Sequence, residues 1–167
     1  MRHVTREETE ALIKRIKDEV PGVSIRTTFL VGFPGETEAD FEELTEFVEE
    51  MKFERLGVFP FSNEEGTYAY NNFKDDVPEE VKQERVDEIM EIQQLISAEL
   101  NQEKIEKIFK VIIDRQEGEF YIGRTEFDSP EVDGEVLVTS EDELKKGVFV
   151  NVKITGAEDY DLFGVVV

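Results

Sequence analysis

The segment best suited to chemistry by residue type is Thr27-Thr28-Phe29-Leu30-Val31-Gly32-Phe33-Pro34-Gly35-Glu36-Thr37. An apolar, β-branched run enters a Gly-Phe-Pro-Gly turn and then a helix start. In parallel α/β sheets and barrels, ligands bind beyond the carboxyl ends of the strands. Gly32 and Gly35 let a ligand approach the backbone, and free amides at the helix start favour an anion or a ring acceptor. A tight strand-to-helix turn needs the same glycines and proline for its dihedrals, and short glycine patterns do not separate the two readings. A second segment, Val58-Phe59-Pro60-Phe61-Ser62-Asn63-Glu64-Glu65-Gly66-Thr67, ends the next expected strand on the same sheet edge. Phe59 and Phe61 could flank a flat ring or simply be core. Glu64 and Glu65 read as a solvated loop.

The remaining candidates are weaker. Cysteine is absent and His3 is the only histidine, so this chain offers no disulfide, no thiol nucleophile and no Cys-ligated zinc or iron–sulfur cluster. His3, near a terminus, reads as a surface residue. The runs Glu141-Asp142-Glu143 and Glu158-Asp159-Tyr160-Asp161 lack the spaced ligands and central glycine of a calcium loop and read as surface charge. Tyr121, Phe127 and Tyr160 could anchor a basic protein on an acidic face. Aromatic residues on a small barrel can also stack nucleic-acid bases.

These segments need elements to position them. Thr5 and Glu8 have capping-box spacing, and Leu12, Ile16 and Val20 mark the helix that follows, stopped at Pro21-Gly22. Residues 23–33 read as a strand buried on both faces. Thr37 and Asp40 cap a second helix, and residues 55–61 form a second strand. Strand, helix, strand with short links is a βαβ unit with parallel strands. Two strands cannot complete a sheet, so the element order suggests a cut inside a larger α/β domain, with an open edge that invites self-association. Residues 62–76 read as a polar loop. Asp76-Val77-Pro78-Glu79 opens a long helix over 78–103, with Val81, Ile89, Ile92, Ile96 and Leu100 as its buried stripe. Five short strands near 107–114, 119–125, 134–138, 147–154 and 160–167, separated by glycine turns, suggest a five-stranded OB-like β-barrel.

Charge narrows the partners. The 167 residues carry a formal net charge of −22. Residues 105–167 hold 7 basic and 15 acidic residues, so the expected barrel is acidic as well. Such a surface repels phosphate backbones and steers basic partners in, which makes nucleic acid an unfavoured main partner. No run approaches a membrane span, and the N-terminus is not a signal peptide, so a cytoplasmic chain with no membrane partner is expected.

Thr28 to Thr37, Phe41, Val58 to Ser62 and Gly66-Thr67-Tyr68-Ala69, in that order, resemble the radical S-adenosylmethionine methylthiotransferases. Arg85, Gln93 and Asn101 fit that family's linker helix. Val111 to Asp114, Tyr121 to Arg124, Val132-Asp133-Gly134 and Asp159 to Leu162 resemble its TRAM domain. The acidic tail and Tyr160-Asp161-Leu162 are most similar to the branch that methylthiolates an aspartate of small-subunit ribosomal protein twelve. The tRNA-adenosine-modifying branch is the alternative, and a non-catalytic acidic adaptor is a third reading. The family's cluster-binding cysteines are missing and would lie before Met1.

The resemblance implies an α/β plus all-β chain. Residues 1–76 would be the C-terminal part of a radical-SAM, TIM-like partial (β/α) barrel, 77–103 a linker helix and 104–167 a TRAM β-barrel. The whole enzyme would use S-adenosylmethionine and two [4Fe–4S] clusters, none held stably by this chain, which should be inactive alone. Gly32, Phe33, Pro34, Gly35 and Glu36, with Phe59, Phe61 and Ser62, would lie on the adenosine side of the cofactor site. Tyr121, Phe127 and Tyr160 would meet the protein substrate. No catalytic or metal-binding residue is assigned. At Glu106 the family usually has a small residue, often glycine.

Overall fold

The computed structural model describes residues 4–167, and the reading of His3 lies outside them. The chain divides into two compact units, one ending at Gln93 and one running from Gln94 to Val167.

The first unit contains α1 (Arg6–Glu19), β1 (Arg26–Val31), α2 (Glu38–Met51), β2 (Arg55–Pro60) and α3 (Tyr68–Asn72). Thr5 with Glu8 and Thr37 with Asp40 form complete capping boxes, which satisfy amides that have no acceptor inside the helix. The strands pair in parallel, from Arg26 opposite Arg55 to Val31 opposite Pro60. Phe29 and Val31 pack with Phe41, Leu44 and Phe47 of α2, and Phe29 meets the rings of Phe47 and Phe53 edge-on. Thr67 caps α3, a helical turn inside the segment expected to be loop.

The strand expected over 23–33 is shorter, and it is not buried on both faces. Exposure alternates along β1 because α2 covers one side only. Leu30 and Phe59, register partners, are 52% and 58% exposed on the open side.

The helix α4 (Glu79–Gln102) contributes to both units. Of the expected apolar stripe, Ile89 and Ile96 are buried while Val81, Ile92 and Leu100 are only partly so. The buried positions are mostly polar: Lys82, Arg85, Gln93, Ser97 and Asn101 recur at helical spacing with Ile89 among them. Burial of such groups is tolerated when they are paired. Gln93 Nε2 donates to the Phe53 carbonyl at 3.0 Å, and Asn101 Nδ2 donates to the carbonyls of Glu158 and Asp159 at 3.2 and 3.1 Å.

The second unit adds β3 (Ile108–Glu117), β4 (Phe120–Thr125), β5 (Val136–Thr139), β6 (Phe149–Ala157) and β7 (Leu162–Val166). They close a barrel in the order β3-β4-β5-β7-β6. Every pairing is antiparallel except β5 with β7. This is the Greek-key arrangement of an OB-type barrel. Val111, Ile113, Val136, Val138, Val152, Ile154 and Leu162 fill its core with Tyr121. The last strand starts at Leu162 and not at 160, because Asp161 turns the chain: its Oδ1 accepts from the Glu135 amide at 2.7 Å and its carbonyl from the Glu158 amide at 2.8 Å.

Candidate functional site

The Gly32–Glu36 turn sits at the carboxyl end of β1. Gly32 and Gly35 have φ of +76° and +87°, a region that side chains with a Cβ rarely adopt. At Gly32 a Cβ would also collide with the stem of Lys82. Three amides of the turn, and those at the helix start expected to be free for an anion, have acceptors within the chain. Gly32 N–H donates to Glu36 Oε1 at 2.8 Å, Gly35 N–H to Asp76 Oδ1 at 2.8 Å and Glu36 N–H to the Phe33 carbonyl at 2.9 Å. Thr37 and Asp40 satisfy each other's amides at the helix start. Asp76, in the segment that opens α4, accepts the Gly35 amide through Oδ1. Glu36 reaches the Gly32 amide by a local side-chain-to-backbone bond, and the fold brings Asp76, 41 residues on, to Gly35.

Two cations of α4 close the turn from behind. Arg85 Nη1 donates to Glu36 Oε1 at 2.6 Å, and Nη2 lies 3.3 Å from Glu38 Oε2. The guanidinium stands 5.1 Å over the Phe41 ring. Lys82 Nζ bonds Asp75 Oδ2 at 2.9 Å and lies 5.5 Å from the Phe61 ring centre. Its hydrogen bond to Asp75 raises the Lys82 pKa above the ordinary lysine value despite burial.

Phe59 and Phe61 do not form a two-sided slot. Phe61, just past the end of β2, is 8% exposed and meets Phe33 edge-on at 5.1 Å, while Phe59 is on the open face of the sheet. Phe33 also meets Phe73 at 5.6 Å. Ser62 Oγ donates to Glu64 Oε1 at 2.6 Å. Asn63 Oδ1 next to it is buried without a hydrogen-bond partner, an acceptor looking for a donor. Pro34 completes the turn between Phe33 and Gly35. On the open face of the sheet the apolar area is that of Leu30 and Phe59, while Phe33, Phe73 and Tyr68 are exposed beyond the strand ends. Leu30 was missed because a continuous apolar run looks equally buried at every position. Lys82 and Arg85 were missed as parts of this site because apolar periodicity scores charges as surface.

On the barrel, Tyr121 is corrected outright: it is 8% exposed and belongs to the core cluster, since its β4 position points inward. Phe127 and Tyr160 are on the surface. Thr125 Oγ1 and its amide both bond Asp128, which shapes the loop carrying Phe127. Gln94 Nε2 and Asn101 Nδ2 bond Asp159, which ties down the turn carrying Tyr160. Partial burial, with the Asp159 charge beside it, raises the Tyr160 pKa. Val132, on the Phe127 loop between Glu131 and Asp133, is the most exposed apolar residue of the barrel.

Among the described residues, no group of three histidine or carboxylate side chains is placed to hold a metal ion, and no helix is long and apolar enough to cross a membrane.

Residues 105–167 match the family model described as TRAM domain. The chain as a whole is similar to curated proteins named ribosomal protein uS12 methylthiotransferase RimO. The relative from Phocaeicola vulgatus is 58% identical over 163 residues, 97% of this chain and 38% of that protein. The one from Bacteroides fragilis is 56% identical over 167 residues, 99% and 39% of the two lengths. The one from Christiangramia forsetii is 57% identical over 164 residues, 98% and 36%. The chain therefore spans less than two fifths of the length of the curated relatives it matches.

Proposed function

The chain belongs to the methylthiotransferase family of these relatives, and on that premise we propose that it is part of an enzyme that methylthiolates an aspartate of ribosomal protein uS12 in the cytoplasm. The observation that carries this reading is the match itself: identity of 52% to 58% over nearly the whole chain, across both structural units.

In this reading the first unit is a section of a radical-SAM barrel. Its open sheet face, with Leu30 and Phe59, is the apolar surface that fits the adenine side of S-adenosylmethionine. The Gly32–Glu36 turn borders that face, and the amides of Gly32, Gly35 and Glu36 are occupied, so it contributes shape more than charge. Asn63 Oδ1 is a buried acceptor for the exocyclic amine of such a ring. When bound, S-adenosylmethionine and iron–sulfur clusters supply the radical chemistry and the methylthio group. This cysteine-free chain holds no cluster, and it should be inactive alone.

The second unit recognises the substrate. A small-subunit ribosomal protein is basic, and the barrel presents Phe127 and Tyr160 among carboxylates. Charge steers the encounter and the aromatic rings anchor it. The tRNA-modifying alternative needs a basic strip along the barrel. Arg124 and Lys153 are instead paired with Asp114 and Glu106, at 3.0 and 2.6 Å.

The test is the complete enzyme containing this chain, given S-adenosylmethionine, a low-potential reductant, and either uS12 or a tRNA anticodon stem-loop. Mass spectrometry should find a methylthio group replacing hydrogen on one uS12 aspartate and none on the RNA. Modification of the RNA alone would overturn the assignment.

A further inference from the structure

The charges behind the strand-end turn are more buried than an ordinary surface pair. Arg85 and Glu36 side chains are 7% and 15% exposed. One oxygen, Glu36 Oε1, accepts from both the Gly32 amide and Arg85 Nη1. Arg85 Nε is buried without a hydrogen-bond partner. A buried ion pair with an unmet donor is a poor way to gain stability, since apolar side chains of the same volume would pack there at less cost. What the pair does supply is direction. A guanidinium fixed over Phe41 sets the position of one carboxylate oxygen, and that oxygen sets the Gly32 amide plane. Lys82 adds a second constraint by packing its stem where Gly32 has no side chain.

We propose that Arg85 and Glu36 are positioning residues that hold the Gly32–Glu36 turn in one conformation, so that the cofactor meets a preformed edge. The proposal rests on the cofactor reading given above. Preorganisation of this kind lowers the ordering cost of binding and leaves the chemical step alone. Neither residue touches the ligand in this scheme.

Two readouts test it, on Arg85→Met, Glu36→Gln and Arg85→Lys, with Ile89→Val as a packing control on the same helix. The first is amide hydrogen exchange in this chain. Arg85→Met and Glu36→Gln should speed exchange at Gly32 by about tenfold while the β1 amides of Phe29 and Leu30 stay as they were. The second is equilibrium binding of S-adenosylmethionine to the complete enzyme. Both variants should weaken it by about tenfold, with kcat at saturation within about twofold of wild type. Arg85→Lys should recover most of the affinity, and Ile89→Val should not change it. If Arg85→Met does not fold, Glu36→Gln decides, because it keeps the volume and removes only the charge. Exchange that rises equally at Gly32 and in β1 would show a merely structural role and overturn the proposal. So would faster exchange at Gly32 with unchanged affinity. A wild-type enzyme that binds no S-adenosylmethionine would overturn the cofactor reading first, and this proposal with it.

Discussion

The two units solve the burial problem in opposite ways. The barrel closes its five strands on one another and fills its centre with Val, Ile, Leu and one Tyr. The first unit pairs only two strands, covers one face, and leaves Leu30 and Phe59 open on the other. The first unit adds buried charge to its apolar clusters: Lys82 and Arg85 are buried against Asp75, Glu36 and Glu38. Closure removes sheet edges and makes a unit self-sufficient.

The largest test of this contrast is Gly32→Ala. It forces a Cβ into positive φ and into the Lys82 stem, and should cost the first unit about 3 kcal/mol. Hydrogen exchange should show the loss in α2 and β1 and not in the barrel. An equal loss in β3 and β6 would break the separation between units. The mirror experiment is Val138→Ala, in the barrel core, with an expected cost of about 2 kcal/mol. Barrel amides should lose protection while the Gly32 turn keeps its own.

A smaller effect is a gain. Glu106 leads into β3 with φ +69°, and its amide donates to the Ile154 carbonyl at 2.9 Å. Glu106→Gly relieves that strain at the expense of an exposed pair with Lys153 and extra chain entropy. It should raise barrel stability by about 0.5 kcal/mol, read by urea unfolding. A loss would mean that the ion pair outweighs the backbone.

The smallest effect is electrostatic. The Thr37 hydroxyl and amide bond the Asp40 carboxylate at 2.6 and 2.8 Å and hold its pKa below the ordinary 3.8. The folded state thus prefers ionised Asp40. That contribution is complete above pH 3.8 and fades as the pH falls through the lower, folded-state value. Asp40→Asn should flatten the acid side of the Tm–pH curve for the first unit. An unchanged slope would remove the cap from the list of supports.

The order of elements was legible because it is written in periodicity and punctuation: both capping boxes, the Pro21-Gly22 stop, and the glycine turns of the barrel. What pairs with buried polar groups was not. The polar line on α4 looks like solvent-facing charge until Glu36, Asp75 and the Phe53 carbonyl are placed opposite it, and those contacts are distant in sequence. Arg85, Gln93 and Asn101 were picked out only by family resemblance, without a task. Tyr121 failed as an anchor for a related reason. Within a short strand, facing is set by register, and register in a five-stranded barrel is fixed by partners that the local sequence does not name. Glu106 stands where the resemblance implies a small residue, often glycine, and its positive φ accords with that expectation.

The central claim is that an acidic barrel surface recognises a basic protein while the open sheet serves a cofactor. Its most direct measurement is a titration of this chain with uS12 and, separately, with a tRNA anticodon stem-loop, at moderate salt. Other ribosomal proteins of equal charge, and a Phe127→Ala/Tyr160→Ala variant, serve as controls. The account predicts binding to uS12 above the charge-matched proteins, weakened at least about tenfold in the variant, and no binding to the RNA. Binding to the stem-loop alone would contradict it.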